Sequence, residues 1–152
     1  MSTELRLHLD EQPAACGRYI SYLYRKSASY CSTGFKEIGL SAMQSILLVG
    51  IYRHEELNQR TLAEIIAVDP GVASRTLREL EDRGYIEKRR DEQNRRSYNL
   101  YLTPRGEEEA EKSLQIQGEY WNRLLQEFSG EEITVLNDLL RRMECRACEL
   151  SL

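Results

Sequence analysis

The sequence predicts a mainly α-helical fold with one small β-hairpin. First, residues 41–106 show the pattern of two helices, a turn, a third helix and a charged hairpin, in that order. Second, apolar residues make up 41% of the chain and charged residues 30%, which is typical of a helix-rich globular protein. Because 152 residues are enough to bury a core, we expect a single domain over residues 1–152.

The first helix is predicted to run from Ala14 to about Cys31. Pro13 is favourable at the start of a helix, and the run Ser32-Thr33-Gly34 is expected to end it. An alternating stretch over residues 5–9 suggests a short extended arm before this helix.

The second and third helices are each predicted from a capping box, in which an N-cap hydroxyl is followed by Gln or Glu three residues later. Ser41 and Gln44 begin the second helix, which is apolar nearly all round and suits the centre of the domain. Thr61 and Glu64 begin the third. The residues of the third helix that we expect to be buried are Leu62, Ile65 and Ile66.

The fourth helix begins with a strong sequence signal. Asp69 is a good N-cap residue, and Pro70 is favoured at the first helical position. Gly84 is expected to end the helix. The residues that we expect to be buried are Val72, Ala73, Leu77 and Leu80.

A hairpin is predicted directly after this helix. Residues 85–90 and 97–102 have the pattern of two short strands, which leaves residues 91–96 as the tip. Ile86 is expected to pair with Leu100 and Leu102 on the inward face.

Two longer helices complete the chain. Thr103-Pro104 begins one, and a capping box of Ser129 and Glu132 begins the other. Each carries an apolar stripe along one side. Because these stripes extend beyond the central core, we expect a partner to cover them, and a second copy of the same chain is the commonest partner.

The fourth helix and the hairpin together form the pattern of a winged helix-turn-helix, in which a helix N-terminus beside a cationic loop contacts duplex DNA. Ser74, Arg75 and Arg78 lie on the front part of this helix, where an arginine can bind guanine bidentately. The alternative is a solvated helix face on which Arg78 pairs with Asp82.

The hairpin arginines also allow two interpretations. Arg95 and Arg96 are expected to enter the minor groove, whose narrow form attracts such side chains. The alternative for them is an ordinary solvated turn. Arg89 and Arg90 are expected to contact phosphate or to pair with the acidic residues near them.

The distribution of charge supports a DNA interface, although the net charge is −4. Residues 60–106 hold ten Lys and Arg against eight Asp and Glu, a balance of +2. The remaining 105 residues hold eleven against seventeen, a balance of −6. Phosphate binding depends on the local patch more than on the total charge.

In their order and spacing, several segments resemble the MarR family of bacterial and archaeal transcription regulators. The resemblance covers about residues 16–128 without gaps. It is carried by Gly39-Leu40-Ser41, Gln44, Leu62-Ala63-Glu64, Val68-Asp69, Ser74-Arg75, Leu80-Glu81, Gly84-Tyr85-Ile86, Arg95-Arg96, Leu102-Thr103-Pro104 and Gly106.

This resemblance implies a homodimer with two winged lobes that reads a palindromic operator in double-stranded DNA. The dimerisation helices would lie in residues 14–34 and 104–152, and the DNA-binding lobe in residues 41–103. The family's major-groove contacts correspond by position to Ser74, Arg75 and Arg78. Its minor-groove contact corresponds to Arg95 or Arg96.

Two features depart from the family pattern. Asn94 stands where the family usually has an Asp that braces an Arg, so the charge of that brace is lost. Gly71 and Val72 stand where Ser or Thr is usual at the start of the recognition helix, so two hydroxyl contacts are missing.

The resemblance also implies an effector site between the dimerisation helices and the winged lobe. A small aromatic or lipophilic effector would contact Tyr22, Tyr52 and Trp121, although simple packing of these amphipathic aromatic residues is the alternative. The hydroperoxide-sensing branch of the family has a reactive cysteine near the position of Cys16. Ala42 stands where that branch has its second tyrosine, and we therefore favour an inert thiol.

Metal sites, cofactors and catalysis are not expected. Cys145 and Cys148 have zinc-like spacing, but no second Cys or His pair follows and the segment is predicted to be helical. Four cysteines without an export signal favour reduced thiols. The sequence contains no Gly-rich phosphate loop and no nucleophile elbow, so we do not expect an enzyme.

The expected function is therefore that of a cytoplasmic, DNA-binding transcriptional repressor. No apolar stretch approaches the roughly 20 residues of a membrane span, and the first residues do not form a secretory signal. We expect a homodimer whose binding to DNA is relieved by a small ligand. Two alternatives are an oxidant-sensing regulator gated by Cys16 and a winged-helix module that binds another protein.

Overall fold

The computed structural model describes residues 13–54, 57–91 and 97–150. Within these ranges the chain forms six helices and three strands. In chain order they are α1 (Pro13–Glu37), α2 (Ala42–Arg53), β1 (Leu57–Asn58), α3 (Gln59–Ile65), α4 (Pro70–Asp82), β2 (Ile86–Arg90), β3 (Tyr98–Leu102), α5 (Pro104–Leu124) and α6 (Gly130–Leu150). One compact unit ends at Gly118 and a second begins at Glu119. The predicted fold class, mainly helical with a small hairpin, is confirmed.

The sheet has three antiparallel strands in the order β1-β3-β2. Ile86 lies opposite Leu102, as predicted, and Lys88 lies opposite Leu100. Strand β1 was not expected from the sequence, because two residues are too few to show the alternation of apolar and polar side chains that marks a strand. Its Leu57 pairs with Leu100 on the other edge of β3.

The core of the first unit lies among α2, α3, α4 and the sheet. The fully enclosed leucines are Leu47, Leu48, Leu62, Leu77, Leu80 and Leu100. Burying one leucine side chain contributes about 1.5–3 kcal/mol. Because two of these leucines belong to α4, the core fixes which face of α4 points outward.

Helix α1 is longer than predicted, because Gly34 does not end it. A Cβ atom on Gly34 would lie 3.0 Å from Cγ2 of Ile116, so the glycine allows close packing against α5. The helix ends instead at a Schellman motif. Gly39 has a φ of 71°, and the Leu40 N–H donates to the Phe35 carbonyl over 2.8 Å.

Helix α3 begins earlier than predicted, and the expected capping box at Thr61 and Glu64 is wrong. Asn58 is the N-cap, and its Oδ1 accepts from the Thr61 N–H over 2.9 Å. Glu64 pairs with Arg60 instead. Ile65 was expected to be buried but is 45% exposed, because Leu62 and Ala63 form the inward side of this short helix.

Helix α4 begins at Pro70 with Asp69 as N-cap and is followed by Gly84 at a φ of 72°, as predicted. The prediction that Val72 is buried is wrong, because its side chain is 41% exposed. The inward side of α4 repeats at helical spacing through Ala73, Thr76, Leu77 and Leu80. Val72 lies at the edge of this inward side, one turn before Thr76, so part of its side chain is exposed.

Both later helices begin where the sequence predicts. The Thr103 hydroxyl accepts from the Gly106 N–H over 3.1 Å at the start of α5. At the start of α6, Ser129 and Glu132 form the reciprocal bonds of a capping box. Hydrogen bonds from the Ser129 backbone and side chain hold the pKa of Glu132 below its usual value.

No single helix in residues 13–54, 57–91 and 97–150 is long and apolar enough to cross a membrane. Helices α1 and α2 meet the same criteria of length and composition only as a pair, across a bend of 88°.

Candidate nucleic-acid interface

The outward face of α4 carries the predicted DNA-contacting arginines. Arg75 and Arg78 are exposed and lie one turn apart, on the side opposite Ala73, Leu77 and the rest of the core. Ser74 is half-buried at the edge of this face. Both arginines are therefore accessible to solvent, and the Ser74 side chain is less accessible than either.

Neither Arg75 nor Arg78 forms an ion pair with any residue in the described part of the chain. The alternative pairing of Arg78 with Asp82 does not occur in the structure, although both side chains are exposed. No acceptor among the described residues binds either guanidinium, so the N–H donors of both can bind a ligand such as a base edge.

The turn between α3 and α4 sets the position of α4. Val68 N–H donates to the Ala63 carbonyl over 3.0 Å, and Ala67 N–H donates to the Glu64 carbonyl over 3.2 Å. This is again a Schellman motif, but its left-handed position is occupied by Ala67, with a φ of 51°. Asp69 Oδ1 then accepts from the Val72 N–H over 2.9 Å.

The other end of α4 is held by Arg83, which the sequence analysis did not single out. Its guanidinium donates to the Gly39 carbonyl over 2.8 Å, to Gln44 Oε1 over 3.1 Å and to the Tyr85 hydroxyl over 3.1 Å. Gln44 in turn donates to Glu79 over 3.1 Å. The end of α1, the start of α2 and the end of α4 therefore share one hydrogen-bonded cluster.

Tyr85 connects this cluster to α5. Two guanidinium groups lie over its ring, that of Arg83 at 4.8 Å and that of Arg105 at 4.6 Å from the ring centre. Its carbonyl accepts from the Thr103 N–H over 3.0 Å. A Cβ atom on Gly106 would lie only 1.9 Å from that carbonyl oxygen, so the close approach of α5 requires a glycine.

The arginines of the wing, which is the hairpin of strands β2 and β3, have different surroundings. Arg89 pairs with Glu87 and lies over the Tyr101 ring at 4.5 Å, so its predicted acidic partner is present. Arg90 is exposed and has no ion pair with a described residue. The predicted minor-groove residues Arg95 and Arg96, like Asn94, lie outside the described residues.

A cavity of about 440 Å³ lies beside the wing. It is lined by Ile51, Tyr52, His54, Arg89, Leu100, Tyr101, Leu102 and Glu107. Of the three predicted effector contacts, the structure brings only Tyr52 to this cavity. Tyr22 lies exposed on α1, and Trp121 lies edge-on to Tyr120 near the end of α5.

The Tyr52 hydroxyl donates to Glu111 over 3.0 Å, and this bond raises the pKa of Tyr52.

The cysteines do not form a cluster that could hold a metal. Cys16, Cys145 and Cys148 are exposed and reduced, whereas Cys31 is buried. Burial raises the pKa of the Cys31 thiol. No group of three or more His, Cys, Asp or Glu side chains with metal-binding geometry occurs among the residues that the structure describes.

Comparison with known proteins places these features in one family. Residues 40–98 match the model of the MarR family. The uncharacterized HTH-type transcriptional regulator YybA of Bacillus subtilis (strain 168) is 34% identical over 127 residues, which are 83% of this chain and 84% of that protein. Both proteins are thus similar over most of their length.

Two solved structures are also similar. A MarR transcriptional regulator from Methanosarcina mazei Go1 has a TM-score of 0.81 at 28% identity, covering 91% of this chain and 99% of that one. A MarR family transcriptional regulator from Listeria monocytogenes in complex with a 26mer DNA has a TM-score of 0.81 at 27% identity, covering 87% and 88%. Because the family match spans α2 to β3 and the sequence similarity extends well beyond it, the chain belongs to the MarR family of winged helix-turn-helix transcriptional regulators.

Proposed function

We propose that this protein is a transcriptional repressor that binds a palindromic DNA operator as a homodimer and is released by a small aromatic or lipophilic ligand. The observation that carries the proposal is the outward face of α4, where Arg75 and Arg78 are exposed and form no ion pair with a described residue. A cytoplasmic location follows from this role.

The chemistry of the arginines suits base recognition in the major groove. Arg75 can donate two parallel hydrogen bonds to O6 and N7 of guanine, which is worth about 1–3 kcal/mol of discrimination against another base. Arg78, one turn later, would contact a neighbouring base or a phosphate, and Ser74 a phosphate beside them. The core contacts of α4 would hold these side chains in register.

The wing would complete the interface. Arg90 is exposed on β2 and would contact phosphate. Arg89 would do so only by giving up its pairing with Glu87. Arg95 and Arg96 would enter the minor groove, as the family pattern implies.

The homodimer is supported by apolar side chains that the single chain leaves exposed. Along α6 these are Val135, Leu136, Leu139, Leu140, Met143 and Leu150, and on α1 they are Tyr19, Ile20, Tyr22, Leu23, Tyr24 and Tyr30. A helix with such a stripe gains stability by burying it. We assign dimerisation to residues 14–34 and 104–152 and DNA binding to residues 41–103.

Regulation would act through geometry. In a symmetric dimer the two α4 helices must lie roughly 34–36 Å apart to enter successive major grooves. The cavity beside the wing is the candidate effector site, because strands β2 and β3 both line it. A ligand there would contact Tyr52 and Tyr101 and would shift the wing relative to α2.

The DNA-binding proposal is tested by selecting duplexes from a randomised DNA pool at low salt. We expect the wild type to enrich a palindrome whose half-sites are about 10 bp apart, and its affinity to fall steeply as salt is raised. Arg75→Ala should lose the preference for guanine at one position of each half-site, whereas Arg141→Ala, which changes an exposed arginine on α6, should keep it. Failure of the wild type to retain any duplex would overturn the proposal and would favour the protein-interaction alternative.

The dimer is tested by light scattering after size exclusion. Leu140→Glu places a charge in the exposed stripe of α6 and should yield monomers. Arg141→Glu changes the next residue, which pairs with Asp138 outside the stripe, and should leave the dimer intact. Wild-type protein that is monomeric at micromolar concentration would contradict this part of the proposal.

The effector site is tested by thermal shift with a panel of small aromatic compounds. A compound that binds in the cavity should stabilise the wild type but not His54→Trp, in which a larger side chain occupies the cavity wall. Arg53→Trp, one residue away and not part of the lining, should respond as the wild type does. Equal responses of all three proteins would place the effector elsewhere.

The thiol-gated alternative has less support. Cys16 is exposed in the first turn of α1, and nothing among its described surroundings indicates a reactive thiol. Peroxide treatment of the wild type and of Cys16→Ser should therefore leave DNA binding equally unchanged.

A further inference from the structure

We propose that Val72 contacts the 5-methyl group of a thymine and so selects thymine at one position of each half-site. The inference rests on the proposed function, because it assumes that the outward face of α4 enters the major groove. It adds a second specificity-determining side chain, of a different chemical type, to the arginines of that face.

Val72 is an apolar residue placed where the fold does not need one. It is 41% exposed, and it is the only large hydrophobic residue of α4 that is exposed. The inward side of the helix is already formed by Ala73, Thr76, Leu77 and Leu80. A β-branched residue also has a lower helix propensity than many polar residues. Neither core packing nor helix formation therefore accounts for valine at this position.

The backbone of Val72 is held at both ends. Its N–H donates to Asp69 Oδ1 over 2.9 Å, and its carbonyl accepts from the Thr76 hydroxyl over 3.0 Å. In a helix a valine side chain has one strongly preferred rotamer. The exposed part of the side chain is therefore held in a nearly fixed position.

The residues next to Val72 present no other large apolar side chain at the exposed start of α4. Gly71 has no side chain to keep a DNA base at a distance. The Thr76 hydroxyl is turned towards the Val72 carbonyl and is nearly buried, so it does not compete for a base edge. Arg75 follows on the same outward face, one turn further along the helix.

This surface matches one group in the major groove. Among the four base pairs, the thymine 5-methyl is the apolar group displayed there, and apolar side chains recognise it. The other groups on the base edges are hydrogen-bond donors and acceptors, which a valine cannot satisfy. The pair Val72 and Arg75 would therefore read a thymine and a guanine that lie close together in each half-site.

The test uses the duplex enriched by the wild type from a randomised pool. Each thymine in one half-site is replaced in turn by deoxyuridine, which removes only the methyl group. We expect one position at which this replacement weakens wild-type binding about fourfold, the effect of one buried methyl group. Val72→Ala should bind the thymine duplex more weakly and should not distinguish thymine from deoxyuridine at that position.

A matched control separates this effect from a general loss of affinity. Arg75→Ala, measured at lower salt so that it binds, should still distinguish thymine from deoxyuridine at the same position. Because Val72 is exposed and its backbone bonds do not involve its side chain, Val72→Ala should keep the wild-type melting temperature. Val72→Thr, which keeps one methyl and adds a hydroxyl, should retain part of the discrimination.

Two results would overturn the inference and are distinguishable from each other. If no thymine shows the effect, or if Val72→Ala shows it as strongly as the wild type, Val72 does not read a methyl group although the protein binds DNA. If the wild type enriches no duplex from the pool, the proposed function fails and the inference fails with it.

Discussion

Substituting Gly106 by alanine tests the packing of α5 against the wing. In most helix positions this change stabilises a protein by about 0.5–1 kcal/mol, because glycine is conformationally more free when unfolded. At Gly106 the added Cβ would lie 1.9 Å from the Tyr85 carbonyl oxygen and 3.3 Å from Cδ2 of Leu102. The helix start must therefore move by more than 1 Å (~1.1 Å) to reach the 3.0 Å below which real Cβ contacts are essentially never found.

That movement would break specific interactions. The Tyr85 carbonyl accepts from the Thr103 N–H over 3.0 Å, and the Thr103 hydroxyl donates to the neighbouring Gly84 carbonyl over 2.8 Å. Each bond contributes about 0.5–1.5 kcal/mol. Forced repacking of a core costs about 1–3 kcal/mol. We expect Gly106→Ala to lower the free energy of unfolding by about 3 kcal/mol, which corresponds to roughly 6–12 °C in melting temperature.

The measurement is urea denaturation followed by circular dichroism at fixed protein concentration. Gly118→Ala is the matched control. Gly118 lies in the same helix, and a Cβ atom there would have no neighbouring atom within 4 Å. The control should be neutral or stabilised by up to about 1 kcal/mol. A Gly106→Ala variant as stable as this control would show that α5 does not approach Tyr85 closely, and the reasoning would be refuted.

Four further predictions concern stability, its pH dependence and thiol reactivity. Ala67→Gly should raise the free energy of unfolding by about 0.5–1 kcal/mol, since glycine adopts a φ of 51° without the steric cost that alanine has there; a loss of stability on denaturation would contradict this. Asn58→Ala should lower stability by about 1 kcal/mol through loss of the α3 cap, and an unchanged unfolding midpoint would show that Asn58 is not that cap. Cys31 should be alkylated more slowly than Cys16 at pH 8, because burial both shields its thiol and raises its pKa; mass spectrometry that finds Cys31 modified first would be inconsistent with its position. Because folding raises the pKa of Cys31, its contribution to stability should be present below the unfolded-chain pKa and lost as pH rises through the folded value.

Much of the fold could be predicted from the sequence because its helix starts are specified locally. The caps at Ser41, Asp69 and Ser129 each lie within three residues of the N–H groups that they bind. The outward position of Arg75 and Arg78 follows from the period of the helix and from the buried residues Ala73, Leu77 and Leu80 on its other side. These features need no knowledge of distant parts of the chain.

The predictions that failed depend on distant residues. Both Asn58 and Thr61 are good cap residues, and pairing of β1 with β3 extends the backbone at Asn58 and so selects it. Glycine is typical of a helix end, but Gly34 instead allows close packing of the Ile116 side chain, which lies on a helix some 80 residues later. No local pattern distinguishes these possibilities.

The cluster around Arg83 could not be predicted for the same reason. Arg83 is one of many charged residues in the sequence, and its acceptors on Gly39 and Gln44 lie about 40 residues before it. The ring of Tyr85, which both Arg83 and Arg105 contact, then joins the end of α4 to the start of α5. The exposed residues of the candidate site can thus be predicted from the local sequence pattern. The residues that hold α4 in place depend on tertiary packing and cannot.

Methylation interference on the selected duplex tests the central claim most directly, because a methyl group on guanine N7 blocks the acceptor that Arg75 would use. We predict interference at guanines in both half-sites, about one helical turn apart, with the signal lost for Arg75→Ala and kept for Arg141→Ala. An identical pattern for the wild type and Arg75→Ala, or no interference in the major groove, would contradict the claim that the outward face of α4 reads DNA.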